Sequence, residues 1–271
     1  MKFLQIVNNK RFLFACSVVL LMACSVDEKQ KIITKTRLVM QEEFDVNGAP
    51  DPNFWSYEIG RGNNGWGNNE LQYYTDRPEN VVVENGMLKI TARQELFLGA
   101  SYTSARIITK GKLEQKYGRI EARIKLPLGK GLWPAFWMLG SNFDTVGWPQ
   151  CGEIDIMEYL GNQPTKILGT VHGPGYSGGE AVSKYYTLPN SRFDTDFHIF
   201  GIEWGENYIN YYVDDVLYNQ ITPADVNGEW VFNQPFYIIL NMAVGGNLPG
   251  PPNGETSFPQ TMLVDYIRIY E

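Results

Sequence analysis

Residues 117–126 read Y-G-R-I-E-A-R-I-K-L. Gly118, Ile120, Ala122, Ile124 and Leu126 are apolar or small, and Arg119, Glu121, Arg123 and Lys125 alternate with them. Successive side chains of an extended chain point to opposite faces, so this period of two predicts a β-strand with one core face and one solvated face. The same signals recur in both directions. Residues 81–83 and 87–91 flank Glu84-Asn85-Gly86, and Asn-Gly between apolar runs predicts a hairpin. Residues 208–213 and 216–218 flank Asp214-Asp215 and predict another. Residues 236–244 are apolar apart from Asn241, which predicts a buried strand, and 263–270 close the chain as one more. No stretch sustains a period of 3.6. Many short strands separated by turns predict an all-β sandwich or barrel.

Composition agrees. The 271 residues include 27 Gly and 15 Pro, more than the roughly 12% combined usage of average proteins, which suits a chain with many turns. A hydrophobic content of 44% excludes a disordered chain. A net charge of -7 argues against a nucleic-acid partner, which selects basic surfaces.

Lys2, Lys10 and Arg11 precede an apolar run over 12–23 that is too short to span a bilayer as a helix. A charged start followed by a short apolar run predicts a signal peptide over 1–23. Leu21-Met22-Ala23-Cys24 resembles a bacterial lipobox, which predicts lipidation of Cys24 and attachment to the outer membrane. An ordinary signal peptide is the alternative. Removing Lys2, Lys10 and Arg11 takes the net charge from -7 to -10. Polar residues 25–36 read as a tether behind the anchor, giving a 24–36 linker and one domain over 37–271, expected to be monomeric. Cys24 and Cys151 are then the remaining cysteines, so no internal disulfide is expected, and Cys151 reads as a packed thiol.

The chemistry concentrates in Glu153-Ile154-Asp155-Ile156-Met157-Glu158. Regular alternation puts Glu153 and Asp155 on one face with Ile154 and Ile156 on the other, but then sends Glu158 into the core. A charged Glu there costs several kcal/mol or must take a proton. One extra residue around Ile156-Met157, a β-bulge, returns Glu158 to the acidic face. Three carboxylates then line one face of one strand, and crowding of like charges raises at least one pKa, as a general acid at neutral pH requires. Two such carboxyl groups suit glycoside hydrolysis, with the shared strand favouring the short separation of a retaining enzyme. A catalytic metal is not expected, because neither His172 nor His198 lies at ligand spacing in the sequence; calcium at the acids stays open. Trp133 and Trp137 are four apart, an even spacing that puts both on one strand face, where an aromatic plane can stack on a pyranose ring. Trp55, Trp204 and Trp230 read as packing residues, and Trp148 is left open.

At these residues the chain resembles family 16 glycoside hydrolases in the form with the bulged acidic motif. Supporting stretches are Gly65-Trp-Gly-Asn-Asn-Glu-Leu-Gln-Tyr-Tyr-Thr75, the Trp133–Trp137 region within 131–138, and Val264-Asp-Tyr-Ile-Arg-Ile-Tyr270. The first is similar to laminarinase-type endo-β-glucanases. The resemblance implies a β-jelly-roll of two curved antiparallel sheets and retaining hydrolysis of internal β-linkages in β-1,3-glucan or mixed β-1,3/1,4-glucan, without a catalytic cofactor. It implies Glu153 as nucleophile, Glu158 as general acid and base, and Asp155 as the residue that tunes them. It also implies sugar contacts from Trp133, Trp137, Asn68, Arg106 and His172, and a structural calcium held by Glu43, the Gly86 carbonyl and Asp265. A non-catalytic glycan-binding lipoprotein, an algal-galactan hydrolase and a transglycosylase are the competing readings.

Overall fold

The computed structural model describes residues 34–271. The signal peptide, Cys24 and residues 24–33 of the tether lie outside the described residues. The strands are β1 (Leu38–Glu42), β2 (Ser56–Tyr57), β3 (Gln72–Tyr74), β4 (Val81–Val83), β5 (Leu88–Phe97) and β6 (Ala100–Ser104). They continue with β7 (Arg106–Ile108), β8 (Glu114–Gln115), β9 (Gly118–Lys125), β10 (Leu132–Gly140), β11 (Glu153–Tyr159) and β12 (Lys166–His172). The last are β13 (Val182–Thr187), β14 (His198–Gly205), β15 (Tyr208–Val213), β16 (Val216–Ile221), β17 (Phe236–Val244) and β18 (Gln260–Tyr270).

These strands form two sheets. The ten-stranded sheet runs β16-β15-β14-β9-β18-β5-β6-β3, with β1 on β18 and β4 on β5. The eight-stranded sheet runs β13-β12-β11-β10-β17-β7-β2, with β8 on β17. Their inner faces share one apolar core that includes Ile120, Ile124, Phe136, Met138, Ile154, Phe200, Trp204 and Ile267. The buried strand expected at Phe236–Val244 is buried at every residue and sits between β10 and β7. Both expected hairpins form. Asn85 and Gly86 adopt φ of 58° and 72°, and Asp214 and Asp215 adopt 50° and 62°, the left-handed pairs whose twist matches that of the flanking strands. Arg37, near the start of the described residues, and Glu271 exchange backbone hydrogen bonds of 3.1 and 2.9 Å.

The strand that opened the sequence reading departs from expectation on one face. Ile120, Ala122 and Ile124 are buried as predicted, but Arg119 and Glu121 are buried too, at 3% and 5% exposure. β9 is central in its sheet, and the polar side is roofed by neighbours. Arg119 Nε donates to Glu121 Oε2 at 2.7 Å, its guanidinium also pairs with Asp215, and the Tyr212 ring lies 5.1 Å from it. Beside them, buried Glu203 accepts from Thr34 N at 2.6 Å, Thr34 Oγ1 at 2.7 Å and Lys35 N at 3.3 Å. Residues 34 and 35, expected in the tether, are therefore fastened to this sheet on its side away from the eight-stranded sheet.

The calcium positions are also placed differently from expectation. Arg268 donates to both Glu43 carboxylate oxygens, at 2.7 and 2.9 Å, and Arg123 Nη1 donates to Asp265 Oδ2 at 2.6 Å. Gly86 sits in the β4–β5 turn. Each carboxylate is already neutralised by its own arginine, so these residues as placed do not fit a calcium ion.

Removing Arg119 strands a buried carboxylate, and such changes cost about 3–5 kcal/mol. Arg119→Met is expected to lower the unfolding free energy by that amount, seen in a urea titration as a lower midpoint at an unchanged slope.

Candidate active site

β11 carries the acids, and its register contains the inferred irregularity. Towards β12, Asp155 pairs with Thr170 and Glu158 with Leu168, so two residues span the place of one. Towards β10, Asp155 opposes Trp137 and Met157 opposes Phe136, leaving Ile156 without a partner. The extra residue lets Ile154, Ile156 and Met157 all enter the core, at 1% exposure or less, while Glu153, Asp155 and Glu158 stay on the outer face.

The two glutamates are held by neutral donors. Glu153 Oε2 accepts from Trp148 Nε1 at 2.7 Å. Glu158 Oε1 accepts from Trp133 Nε1 at 3.2 Å, and its Oε2 accepts from Thr170 Oγ1 at 3.2 Å. Asp155 lies between them at 4% exposure. Burial first, then the neighbouring Asp155, pushes Glu153 up to about 8. Burial pushes Glu158 up to about 7, against the pull of His172. Burial and the charge of Glu158 drive Asp155 well above the usual carboxylate range. Near neutral pH the three acids titrate as one coupled cluster that retains protons above the usual carboxylate range.

His172 corrects the sequence argument about metals. Pairing of β12 with β11 sets His172 opposite Glu153, with Nε2 3.2 Å from Asp155 Oδ2 and 3.9 Å from Glu153 Oε1. These three residues offer donor atoms within 4.8 Å of one another. Chain separation of 19 positions hid a contact that strand register creates. The ring nitrogens decide its role. Nδ1 accepts the Gly178 backbone N–H at 3.1 Å, which assigns the hydrogen of a neutral ring to Nε2. A metal-bound imidazole has the opposite arrangement, with its second nitrogen donating. The trio therefore suits an electrostatic contact between His172 and the acids and does not suit a metal, calcium included.

Trp133 and Trp137 share the outer face of β10, as their spacing predicts. Trp137 Nε1 donates to Asn241 Oδ1 at 2.7 Å. Arg106 is buried at 9% exposure, pairs with Glu58, and lies 4.6 and 4.8 Å from the Trp66 and Trp137 rings. Asn68 lies in the Gly65–Asn69 turn, beside this floor, where its carbonyl accepts from Asn247 N at 2.8 Å. Trp55 and Trp204 are core residues, and Cys151 is a fully buried thiol pushed up to about 11 by burial.

The model of Glycosyl hydrolases family 16 matches residues 67–268. A beta-glucanase of Rhodothermus marinus is 44% identical over 245 residues, which cover 86% of this chain and 84% of that protein. An endo-beta-1,3-glucanase structure from Pyrococcus furiosus superposes with a TM-score of 0.84 at 50% identity, covering 87% of this chain and 94% of that one. A laminarinase catalytic domain from Thermotoga maritima gives 0.82 at 54% identity, covering 87% and 98%. The chain belongs to glycosyl hydrolase family 16. Its two sheets are the jelly-roll sandwich expected from the sequence.

Some residues of this family 16 site escaped the sequence reading. Trp148, left open there, holds Glu153 and lies 5.9 Å from the His172 ring. Glu70, Tyr74 and Asn241 form a chain behind Trp137. Glu70 Oε2 accepts from Gln72 Nε2 at 2.6 Å and from the Tyr74 hydroxyl at 3.1 Å; that hydroxyl accepts from Asn241 Nδ2 at 3.0 Å. Glu70 and Tyr74 both lie in the quoted 65–75 stretch. A carboxylate amid tyrosines was the available signal.

A carboxylate whose pKa is raised by folding stabilises the folded state below its unfolded pKa and loses that contribution as pH rises through the folded value. Glu153→Gln removes the titration. Its melting temperature is expected to match the unsubstituted chain near about pH 4 and to exceed it above about pH 8, measured by thermal scans across that range.

Proposed function

We propose that this chain is a retaining, endo-acting β-glucanase that cleaves β-1,3-glucan or mixed β-1,3/1,4-glucan. The observation that carries the reading is the placement of Glu153, Asp155 and Glu158 on one outer strand face, each terminal acid hydrogen-bonded by a tryptophan N–H. Glu153 attacks the anomeric carbon and forms the glycosyl-enzyme intermediate. Glu158 protonates the leaving oxygen and then deprotonates the incoming water. Asp155, between them, adjusts their proton affinity. Trp133 and Trp137 receive sugar faces, with Asn68, Arg106 and His172 supplying polar contacts. The beta-glucanase, endo-beta-1,3-glucanase and laminarinase named above support this substrate class. A binding protein has no use for two gripped acids with raised pKa values.

Reducing-sugar release is expected from laminarin, lichenan or barley β-glucan and not from agarose or carrageenan. Glu158→Gln is expected to lower kcat by roughly 10²–10⁴-fold, and Glu153→Ala to remove turnover. Activity surviving in Glu153→Ala overturns the role of Glu153; release from the galactans alone moves the substrate.

We also infer that the protein is tethered to the outer membrane through a lipid on Cys24, on the strength of the charged start, the short apolar run and the Leu21–Cys24 motif. Cells fed labelled palmitate are expected to label the full chain and not its Cys24→Ser variant; label on the variant refutes the anchor.

A further inference from the structure

Glu203 of the ten-stranded sheet is held by residues that precede β1. Phe200, Ile202 and Trp204 of β14 belong to the core, so Glu203 points out of the sandwich. It is 1% exposed beneath the incoming chain, where Thr34 N, Thr34 Oγ1 and Lys35 N all donate to its carboxylate. Burial pushes this carboxyl up, but its hydrogen bonds outweigh burial and hold it below the usual carboxylate range. A buried anion needs such donors, and three of them come from the tether. The chain thus meets the domain at a fixed point two strands in from the β16 edge, before β1 begins at Leu38.

The acids lie on the opposite side of the molecule. Glu153, Asp155 and Glu158 point out of the eight-stranded sheet and Glu203 points out of the ten-stranded one, with the shared core between them. Cys24 and Thr34 are ten residues apart, and a fully extended chain covers at most about 33–36 Å over that separation. A domain of this length is roughly 45 Å across. To lay the acids against a membrane, the tether would have to run from Glu203 around the edge of the sandwich to its far side, and ten residues do not reach.

We propose that the clasp of Thr34 and Lys35 on Glu203 turns the outer face of the ten-stranded sheet toward the lipid surface and holds the acid-bearing face toward solvent, open to a polysaccharide too large to pass beneath the domain. The inference rests on the lipid on Cys24 inferred above. One threonine serves both carboxylate oxygens, its N–H on Oε1 and its hydroxyl on Oε2, so the clasp fixes the direction of the chain as well as its position. Without it, the first fixed point moves to Arg37, which pairs with Glu271, and the reach grows by three residues, about 10 Å. That brings the tether to the width of the domain. The clasp, and not tether length alone, therefore sets which face meets the membrane.

The test reads proximity to the bilayer from two positions of the lipidated protein, purified from cell membranes and placed in phosphatidylcholine vesicles that carry a headgroup quencher. Gln220 is exposed on the clasp side, since Glu203 pairs with Asn210 and Asn210 with Gln220. Tyr185 of β13 is 52% exposed on the acid side, since its neighbour Tyr186 belongs to the core. Cys151 is fully buried, so Gln220→Cys and Tyr185→Cys each supply one reactive thiol for a fluorophore. The label at position 220 is expected to be quenched roughly 2-fold or more strongly than the label at 185. Thr34→Pro removes the N–H and the hydroxyl and is expected to bring the two signals together. A ten-residue Gly/Ser insertion after Gln30, which spares the clasp and doubles the reach, is expected to do the same. Equal quenching in the unmodified tether, or stronger quenching at 185, overturns the orientation, and a difference that survives Thr34→Pro overturns the part given to the clasp. A protein that does not float with the vesicles overturns the lipid anchor instead.

Discussion

A carboxylate cannot sit in an apolar core at neutral pH without a partner or a proton, and β11 is organised around that prohibition. Its sequence requires Ile154, Ile156 and Met157 inside and Glu153, Asp155 and Glu158 outside, which a strand of period two cannot deliver. The bulge resolves the conflict by inserting one residue, and the register against β10 and β12 shifts at the same place. Everything chemical follows from that shift. It sets Glu158 against Trp133 and Thr170, keeps Asp155 between the two glutamates, and aligns Glu153 with His172. Without it the acids could not share one face while the core stayed apolar.

The arrangement is held against its own electrostatics. Three buried carboxyl groups side by side raise one another's pKa, and the groups that hydrogen-bond the two glutamates are neutral donors, two indoles and a hydroxyl. Neutral donors orient an acid without fully stabilising its charge, so protons remain on the cluster into the neutral range. A guanidinium in the same place would have fixed all three as permanent anions. Arg106, the buried cation of this floor, is paired with Glu58 and stacked on Trp66 and Trp137 instead. Such withheld compensation is a common way in which activity costs stability.

What was legible in the sequence is what a single strand or turn determines alone. Asn85-Gly86 and Asp214-Asp215 announce their turns, 236–244 announces its burial, and the parity conflict at Glu158 announces the bulge. What escaped depends on partners far along the chain. The face of β9 bearing Arg119 and Glu121 looked solvated, because nothing local reveals that Asp215 and Tyr212 close over it. His172 looked remote from the acids until register placed it opposite Glu153. Thr34 and Lys35 looked like linker because their hydrogen-bond acceptor, Glu203, is 169 and 168 positions away.

The chain behind Trp137 shows how such a long-range contact acquires direction. An asparagine amide can present its oxygen or its nitrogen to either neighbour, and a tyrosine hydroxyl can donate or accept, so Tyr74 and Asn241 alone leave the sense of the chain undecided. Glu70 decides it. An ionised carboxylate only accepts, so Tyr74 must spend its hydrogen on Glu70 and must accept from Asn241 Nδ2. Asn241 is then left with its oxygen toward Trp137, where the indole N–H needs an acceptor. Reversal at any link would set donor against donor at the indole. Burial raises the pKa of Glu70, while Gln72 and Arg106 draw it back toward the charged form that this direction requires. A carboxylate three hydrogen bonds from the indole thereby fixes which way the platform of the site is held.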